Sequence, residues 1–322
     1  GVQTCALPIY GLASRFDSEA ALLQVFKIKQ RPSFDPLIVH ISNKKQLSVL
    51  TTSLQPAEEF LMNLFWPGPL TFVLPKSQNV SPIISSGLNS VAVRMPENTV
   101  FRNIIEQTAP LAAPSANMFG HTSPTTAAHV EREFSSTLPV VDGGSSQVGI
   151  ESTVIEVKET SLAVQLHIHR PGMITESHLK HALTKYTQKE ITVSHGATPA
   201  SPGHIADHYQ PRKPLVVIKK ETPTNSLCFD LMKESLNIPP TSTPALLNYS
   251  EKDPTHVARI LYSDLHRLSE DPHSQFILMT VPDDFLTDSW TALRDRIGKA
   301  STLSITSKDG SFFTHKKLKN FQ

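Results

Sequence analysis

A proline-rich segment divides this chain into two stretches in which strand and helix patterns alternate. Residues 195–214 hold four prolines and two glycines and show no sustained apolar periodicity. At roughly 100–200 residues per domain, a chain of 322 residues is long enough for two domains. We therefore predict a larger α/β domain over residues 1–190, a linker over 191–213 and a small α/β domain over 214–322.

Hydrophobic periodicity predicts the secondary structure of both domains. The predicted helices of the first domain begin after a cap at Asp17, at Pro56 and at the pair Ser123 and Pro124, the last reaching Phe134. Apolar and β-branched runs predict strands at 37–41, 70–74, 91–94, 139–142, 153–157 and 163–169. In the second domain, strands at 215–219 and 276–281 and helices at 253–268 and 288–297 predict a parallel sheet.

The charge balance and the cysteine content exclude several classes of protein. Thirty basic residues against 29 acidic residues give a net charge of +1, which excludes a histone-like polycation and an acidic tail protein. Two cysteines cannot form a disulfide framework or a four-cysteine zinc site. No apolar run approaches the roughly 18–20 residues of a membrane helix, and residues 1–9 do not form a signal peptide. We expect a cytoplasmic protein with no membrane contact.

The common catalytic and metal-binding motifs are absent from the sequence. It contains no G-x-G-x-x-G, no G-x-x-x-x-G-K-[ST], no G-x-S-x-G and no H-E-x-x-H. Two histidine pairs, His178 with His181 and His204 with His208, have helical spacing but no suitable third ligand nearby. We therefore predict no metal site made by the protein alone.

Cations and hydroxyl groups recur where the predicted strands and helices end. They are Lys29 and Arg31 after the first helix, Arg94 after a strand, the segments 114–117 and 149–153, and Arg170. Each alone has an ordinary explanation, as a helix-dipole partner, a solvated arginine or a plain turn. Together they have the layout of an anion or nucleotide site in an α/β fold.

These segments resemble the threonylcarbamoyl-AMP synthase family, whose catalytic domain is of the YrdC type. The matching stretches are IYGLAS (9–14), KIKQRPSFDPLIVHI (27–41), FWPGPLTFVL (65–74), VAVRMP (91–96), APSANMFGHTSPT (113–125), VVDGG (140–144), GIESTVIEV (149–157) and RPG (170–172). The stretch SPGHIADHYQP (201–211) is similar to the linker of the long, two-domain members. The resemblance covers nearly the whole chain from Tyr10. It implies a twisted α/β domain with a concave basic cavity, followed by a small Rossmann-like module.

The resemblance also implies a reaction. Members of the family are nucleotidyltransferases that convert L-threonine, bicarbonate or carbon dioxide, and ATP into threonylcarbamoyl-AMP and pyrophosphate. Such a transfer needs positioning and charge neutralisation more than a protein nucleophile, and Mg²⁺ is expected on the ATP phosphates. Threonylcarbamoyl-transferase proteins then use the product to modify an adenosine beside the anticodon of certain tRNAs. Weak tRNA binding by the chain itself is also expected.

The residues that match the family's site motifs fall into three groups. The ATP-binding group is Lys29, Arg31, Asp35 (where many members have Asn), Ser90, Ser115, Asn117, Ser123 and Arg170. Within it, Lys29 and Arg31 would meet the phosphates and act in catalysis. The threonine-binding group is His40, Arg94 and Ser152, with Arg94 on the carboxylate. In the linker, His208 and Tyr209 would form a lid that excludes water from a labile mixed anhydride.

The chain departs from the family at its start. Members read P-T-E-T-V-Y-G-L, whereas residues 5–12 of this chain read C-A-L-P-I-Y-G-L. The N-terminal segment of the family, which would contribute a threonine-binding hydroxyl, is therefore missing, and its absence predicts an exposed sheet edge. Two alternatives follow. One is a nucleotide-binding relic without turnover, and the other is a non-catalytic RNA-binding module whose affinity falls steeply with salt.

Overall fold

Strands and helices of this chain are grouped into two α/β units. A computed structural model describes residues 3–6, 9–135, 137–199, 208–308 and 311–316, with the backbone alone at 3–6. One unit spans residues 1–119 and 123–205, and the other spans residues 120–122 and 206–322. The two-domain α/β fold expected from the sequence is thereby confirmed. No helix in the described residues is long and apolar enough to cross a membrane.

The first unit is built on one ten-stranded mixed sheet. Its strands are β1 (Gln3–Ala6), β2 (Tyr10–Arg15), β3 (Ile38–His40), β4 (Leu70–Pro75), β5 (Ser90–Arg94), β6 (Leu111–Ala112), β7 (Val140–Val141), β8 (Thr153–Glu159), β9 (Ala163–Arg170) and β10 (Glu190–His195). They are ordered β10-β9-β8-β4-β5-β3-β6-β2-β1-β7 across the sheet. Its helices are α1 (Glu19–Lys29), α2 (Pro56–Phe65), α3 (Pro82–Ser85), α4 (Thr99–Gln107), α5 (Ala127–Phe134) and α6 (Glu176–Tyr186), with a 3₁₀ helix at Lys44–Val49.

A buried apolar cluster joins two of these helices to the sheet. Leu61 of α2 and Leu183 of α6 pack in one core with Phe72, Ile155 and Leu166 from β4, β8 and β9. Complete burial of an aliphatic or aromatic side chain stabilises the fold by about 1.5–3 kcal/mol. The core therefore fixes the strands whose ends carry the predicted site residues.

The strand directions divide the predicted site residues between the two ends of β3. β5 runs parallel to β3, with Arg94 opposite His40, so both side chains lie at the carboxyl end of β3. β6 runs antiparallel to β3, with Leu111 opposite His40, so the chain that continues to Ser115 leaves toward the amino end. The site must therefore extend along the strand direction.

The second unit contains a five-stranded sheet of the expected Rossmann-like kind. Its elements are β11 (Leu215–Lys219), α7 (Ser226–Leu236), β12 (Pro244–Asn248), α8 (Pro254–Ser269), β13 (Phe276–Val281), α9 (Thr291–Ala300), β14 (Leu303–Lys308) and β15 (Ser311–Lys316), with 3₁₀ helices at Asp283–Leu286 and Asp288–Trp290. The strand order is β12-β13-β11-β14-β15, and among the described strands of this sheet only β15 pairs antiparallel. The predicted strands at 215–219 and 276–281 are confirmed.

Two predicted helix starts are wrong. α1 is capped by Ser18, whose hydroxyl accepts from the amide of Ala21, whereas the carboxylate of Asp17 pairs with Arg15 at 2.7 Å. The helix predicted to start at Ser123 is α5, which begins at Ala127 because Thr126 supplies its cap and the Ser123 hydroxyl is bonded elsewhere. A cap residue works only if its side chain is available to the first turn.

The first sheet continues into the segment predicted as a linker. Strand Glu190–His195 pairs parallel with β9, so the sheet extends beyond residue 190. Residues 200–207 of the predicted linker lie outside the described residues. At the other side of the sheet, β2 is covered on both sides, because it pairs with both β1 and β6.

Glu58 is a buried carboxylate in α2 whose ionisation opposes folding. It accepts a hydrogen bond of 2.8 Å from the amide of Gln55. Burial raises the pKa of Glu58 from 4.5 to about 7. Because the folded-state pKa is raised, the unfolded chain ionises first as pH rises. Glu58 therefore lowers the free energy of unfolding progressively between about pH 4.5 and pH 7.

We predict that Glu58→Gln removes this loss, because glutamine keeps an acceptor oxygen without a charge. The difference in free energy of unfolding between the variant and the wild type should be about 1–3 kcal/mol larger at pH 8 than at pH 5, in favour of the variant. Urea denaturation at both pH values measures the difference. Glu59→Gln, at the exposed neighbouring position, is the control. An equal stability difference at both pH values would contradict the prediction.

Candidate active site

Lys29 anchors the first group of predicted site residues. It is the last residue of α1, and its side chain is buried. Its ammonium group donates to the carbonyl oxygen of Ser115 at 2.6 Å and to that of Asn117. Burial, followed by the positive charge of Arg31, holds the pKa of Lys29 well below its usual value, while nearby carboxylates act in the opposite direction. An anion bound beside this amine would favour its charged form.

Arg31 lies two residues further on and is held by the turn that follows α1. Its guanidinium pairs with the carboxylate of Asp35 at 2.8 Å, and both side chains are buried. The same guanidinium donates to the carbonyl oxygens of Asp35 and Pro36 at 3.0 and 2.8 Å. Asp35, predicted as a nucleotide contact, therefore orients Arg31 in this structure.

The segment that carries Ser115 and Asn117 runs beside the first residues of β2. Ser115 forms an antiparallel bridge with Gly11. The amide of Ala116 donates to the carbonyl of Tyr10 at 2.7 Å, and the Asn117 side chain donates to the carbonyl of Met118 at 2.7 Å. The structure therefore brings Lys29 together with the backbone of Ser115 and Asn117.

Arg94 is the centre of the second group, at the carboxyl end of β3. It is buried, and its Nε donates to the carbonyl of Gly68 at 3.0 Å. Burial, followed by the positive charge of Arg170, lowers the pKa of Arg94 to about 9, while Glu97 acts in the opposite direction. His40 is buried beside it, and burial and Arg94 together hold the pKa of His40 well below its usual value. The His40 imidazole is therefore neutral at physiological pH.

Arg170 lies close enough to Arg94 to influence its pKa, and it is bonded to Ser152. The Arg170 guanidinium donates to the backbone carbonyl and to the hydroxyl of Ser152 at 3.1 and 3.2 Å. The Ser152 hydroxyl is also 2.7 Å from that of Thr71. Gly172 allows the chain after Arg170 to pass close to the backbone of Ser152 and Thr153, because a Cβ at position 172 would lie 2.3 Å from the amide nitrogen of Thr153. Sequence reasoning missed Thr71, whose position inside an apolar strand gave no functional signal.

A cavity of about 350 Å³ opens beside Arg94. It is lined by Gly68, Pro69, Arg94, Glu97, Asn98, Thr99, Gly143, Ser145, Gln147 and Val148. Asn98 caps α4 and Thr99 is its first residue, so the N-terminus of that helix faces the same space as the guanidinium. Both features favour a negatively charged group.

Ser123 and Glu151 connect the two groups of residues. The Ser123 hydroxyl donates to the Glu151 carboxylate at 2.8 Å, and both side chains are buried. The carbonyl of Pro124, next to Ser123, accepts from the amide of Tyr10 at 2.8 Å, and Tyr10 is also bonded to the segment that carries Ser115. On the other side, Glu151 directly precedes Ser152. Sequence reasoning missed Glu151, although it lies inside the quoted stretch GIESTVIEV.

Three further predicted residues are Ser90 in the first unit and His208 and Tyr209 in the second. Ser90 begins β5 and is therefore at the opposite end of that strand from Arg94. Tyr209 is buried within the second unit, where its ring stacks on Tyr262 with centroids 5.7 Å apart and lies under the guanidinium of Arg296. His208 packs edge-on against Tyr209 at 4.2 Å. The lid that His208 and Tyr209 would form stays a prediction.

Comparison with known proteins identifies the family. A family model for Sua5, YciO and YrdC proteins, described as telomere recombination, matches residues 6–172. A second model, described as the C-terminal domain of threonylcarbamoyl-AMP synthase, matches residues 174–302. A crystal structure of Pyrococcus abyssi Sua5 complexed with L-threonine superposes with a TM-score of 0.78 at 30% identity, over 93% of this chain and 90% of that one. The chain belongs to the Sua5/YciO/YrdC family, in its two-domain form.

Three curated relatives share the name threonylcarbamoyl-AMP synthase. The proteins from Pyrococcus abyssi and Bacillus subtilis, both named threonylcarbamoyl-AMP synthase, are 37% identical to this chain over 66% and 65% of its length. A Schizosaccharomyces pombe protein of the same name is 32% identical over 68% of the chain. The matches span 62%, 60% and 60% of the lengths of these three relatives.

We predict that Lys29→Met weakens ATP binding by about tenfold or more. The variant loses a positive charge and the two bonds that hold Ser115 and Asn117, and a hydrogen bond to a charged group contributes about 1.5–3 kcal/mol. Calorimetric titration with ATP measures the change in affinity. Lys27→Met, at an exposed position on the same helix, is the matched control. Equal ATP affinity in the folded Lys29→Met variant and the wild type would contradict this role.

Proposed function

We propose that this chain is a threonylcarbamoyl-AMP synthase, a nucleotidyltransferase that converts L-threonine, bicarbonate or carbon dioxide, and ATP into threonylcarbamoyl-AMP and pyrophosphate. The observation that carries the proposal is the buried Arg94 beside a cavity that also receives the N-terminus of α4. A buried guanidinium next to a second arginine favours a bound anion. The P. abyssi structure with L-threonine supports an amino-acid carboxylate as that anion.

Threonine would bind with its carboxylate on Arg94 and its amine directed into the site. The planar guanidinium suits a carboxylate, because two parallel N–H donors can meet its two oxygens. His40 is neutral, so it can donate or accept a hydrogen bond without adding positive charge. Ser152, held by Arg170 and Thr71, offers a hydroxyl with a fixed position. Rigid partners of this kind lower the cost of orienting a reactant.

ATP would bind along the segments that join the two groups. An ammonium group has three N–H donors, and two of those on Lys29 are directed at carbonyl oxygens, which leaves the third for a phosphate oxygen. Arg31 lies beside Lys29. Ser115, Asn117 and Ser123 belong to one segment, which is bonded through Ser123 to Glu151, next to the Ser152 partner of Arg170. We further propose that Mg²⁺ accompanies ATP, since phosphate oxygens are ligands that this ion prefers.

The chemistry then needs no protein nucleophile. The threonine nitrogen adds to the carbon of carbon dioxide and loses a proton, which forms a carbamate. A carbamate oxygen attacks the α-phosphorus, a new P–O bond forms, and the bond to the β-phosphate breaks as pyrophosphate leaves. The buried cations would stabilise the negative charge that is redistributed during this transfer.

The product would serve as the donor for tRNA modification. We propose that threonylcarbamoyl-transferase proteins take it up and modify an adenosine next to the anticodon. A cytoplasmic location, where these tRNAs are used, fits this role. Weak binding of tRNA by the chain itself belongs to the same proposal.

Release of pyrophosphate from ATP tests the proposal. It is measured with and without L-threonine, with and without bicarbonate, and with and without Mg²⁺. Release that needs threonine and bicarbonate supports the synthase. ATP binding without threonine-dependent release would instead show a nucleotide-binding relic. RNA binding that weakens steeply with salt, without ATP binding, would show an RNA-binding module.

We predict that Arg94→Ala raises the KM for threonine by at least about tenfold and changes the KM for ATP by less than about threefold. The reason is that loss of a charged hydrogen-bond partner costs about 1.5–3 kcal/mol. Initial rates of pyrophosphate release with each substrate varied in turn give both constants. Arg132→Ala, an exposed position on α5, is the control. Equal changes in both constants would remove the assignment of Arg94 to the threonine carboxylate.

A further inference from the structure

Tyr10 bonds to the loop that forms one wall of the Arg94 cavity. Its side chain is completely buried. Its hydroxyl donates to the Asp142 carboxylate at 2.7 Å and lies 3.0 Å from the carbonyl oxygen of Gly144. The same carboxylate oxygen accepts from the amide of Gly144 at 2.9 Å. One phenol hydroxyl therefore holds the first turn of this loop through two residues.

The loop held in this way faces the cavity. Gly143, Ser145, Gln147 and Val148 all line the space beside Arg94. Gly144 has a φ of 79°, a backbone conformation that favours glycine, so the turn has a defined shape. A second fixed point follows at Ser146, whose amide donates to the carbonyl of Thr125 at 2.9 Å. The wall is thus attached at its start and at its middle.

The backbone of Tyr10 is bonded to the other half of the site. Its carbonyl accepts from the amide of Ala116, and its amide donates to the carbonyl of Pro124. These two residues lie within the stretch that carries Ser115, Asn117 and Ser123. Tyr10 therefore contacts the proposed nucleotide segment through its main chain and the cavity wall through its hydroxyl. A substitution that removes only the hydroxyl separates these two contacts.

We propose that Tyr10 is a positioning residue for threonine: its hydroxyl, through Asp142 and Gly144, places the loop 142–148 against the bound amino acid. The inference rests on the proposed function. The Tyr10 hydroxyl and the Gly144 amide hold the pKa of Asp142 below its usual value, so the carboxylate acceptor is ionised at neutral pH. A hydrogen bond to an ionised group is about twice as strong as one between neutral groups.

The test compares Tyr10→Phe, Asp142→Ala and Asp142→Asn in the full chain. Pyrophosphate release gives kcat and the KM values for threonine and ATP, and calorimetry gives threonine affinity without turnover. Tyr186→Phe is the matched control, because the Tyr186 hydroxyl also meets a carboxylate, that of Glu159, and neither residue lines this cavity. Thermal unfolding of each variant reports any general loss of stability.

We expect Tyr10→Phe to raise the KM for threonine about five- to tenfold and to leave the KM for ATP within about twofold. Asp142→Ala should have a similar effect, and combining Tyr10→Phe with Asp142→Ala in one double variant should add little to it. Asp142→Asn should retain most of the affinity because it keeps an acceptor oxygen. Non-additivity of this kind is the signature of two residues that act through one contact.

Two results would overturn the inference. One is an unchanged threonine affinity in Tyr10→Phe while the wild type is active, which leaves the proposed function intact. The other is an equal rise in both KM values or a loss that follows only the unfolding temperature, which shows a general structural role. If the wild type neither binds threonine nor needs it for pyrophosphate release, the proposed function fails and this inference fails with it.

Discussion

The arrangement of the proposed nucleotide site depends on the burial of one ammonium group. Lys29 ends α1, yet its side chain turns into the protein and bonds to backbone carbonyls 86 and 88 positions further along the chain. A buried charge without partners is strongly unfavourable, so these bonds must form together with the fold. They join a helix to a segment that has little regular structure of its own. Lys29 therefore fixes the geometry of that segment together with the bonds that the segment makes to β2.

Buried positive charges recur throughout the site, and they are only partly compensated. Arg31 has Asp35, but Arg94 has a carbonyl hydrogen-bond partner, and burial followed by the positive charge of Arg170 lowers the pKa of Arg94. Such a site is less stable without an anion than with one. A substrate carboxylate or phosphate supplies the missing charge, so ligand binding and the stability of this unit are thermodynamically linked.

Much of the fold could be predicted from local sequence patterns, whereas the bonding of the site could not. The apolar run at 70–74 predicted β4 nearly to the residue, because a buried strand needs only a run of apolar side chains. Ser123 with Pro124 looked like a helix start, but a residue 28 positions away uses its hydroxyl. Lys29 resembled a solvated partner of a helix dipole, because its bonding partners Ser115 and Asn117 are also distant in the sequence. Local sequence patterns do not reveal which distant residue will form a hydrogen bond with a polar side chain.

The division of the chain into units has a practical consequence. Residues 120–122 belong to the second unit, where Thr122 donates to the carbonyl of Gln210 and Gln210 donates to that of Gly120. A protein shortened at residue 205 would lose these partners and leave the backbone groups of Gly120 and Thr122 unpaired. Unpaired backbone groups cost free energy wherever water does not reach them. The first unit therefore cannot be excised cleanly with a single cut, and the second unit should be retained when the protein is produced for study.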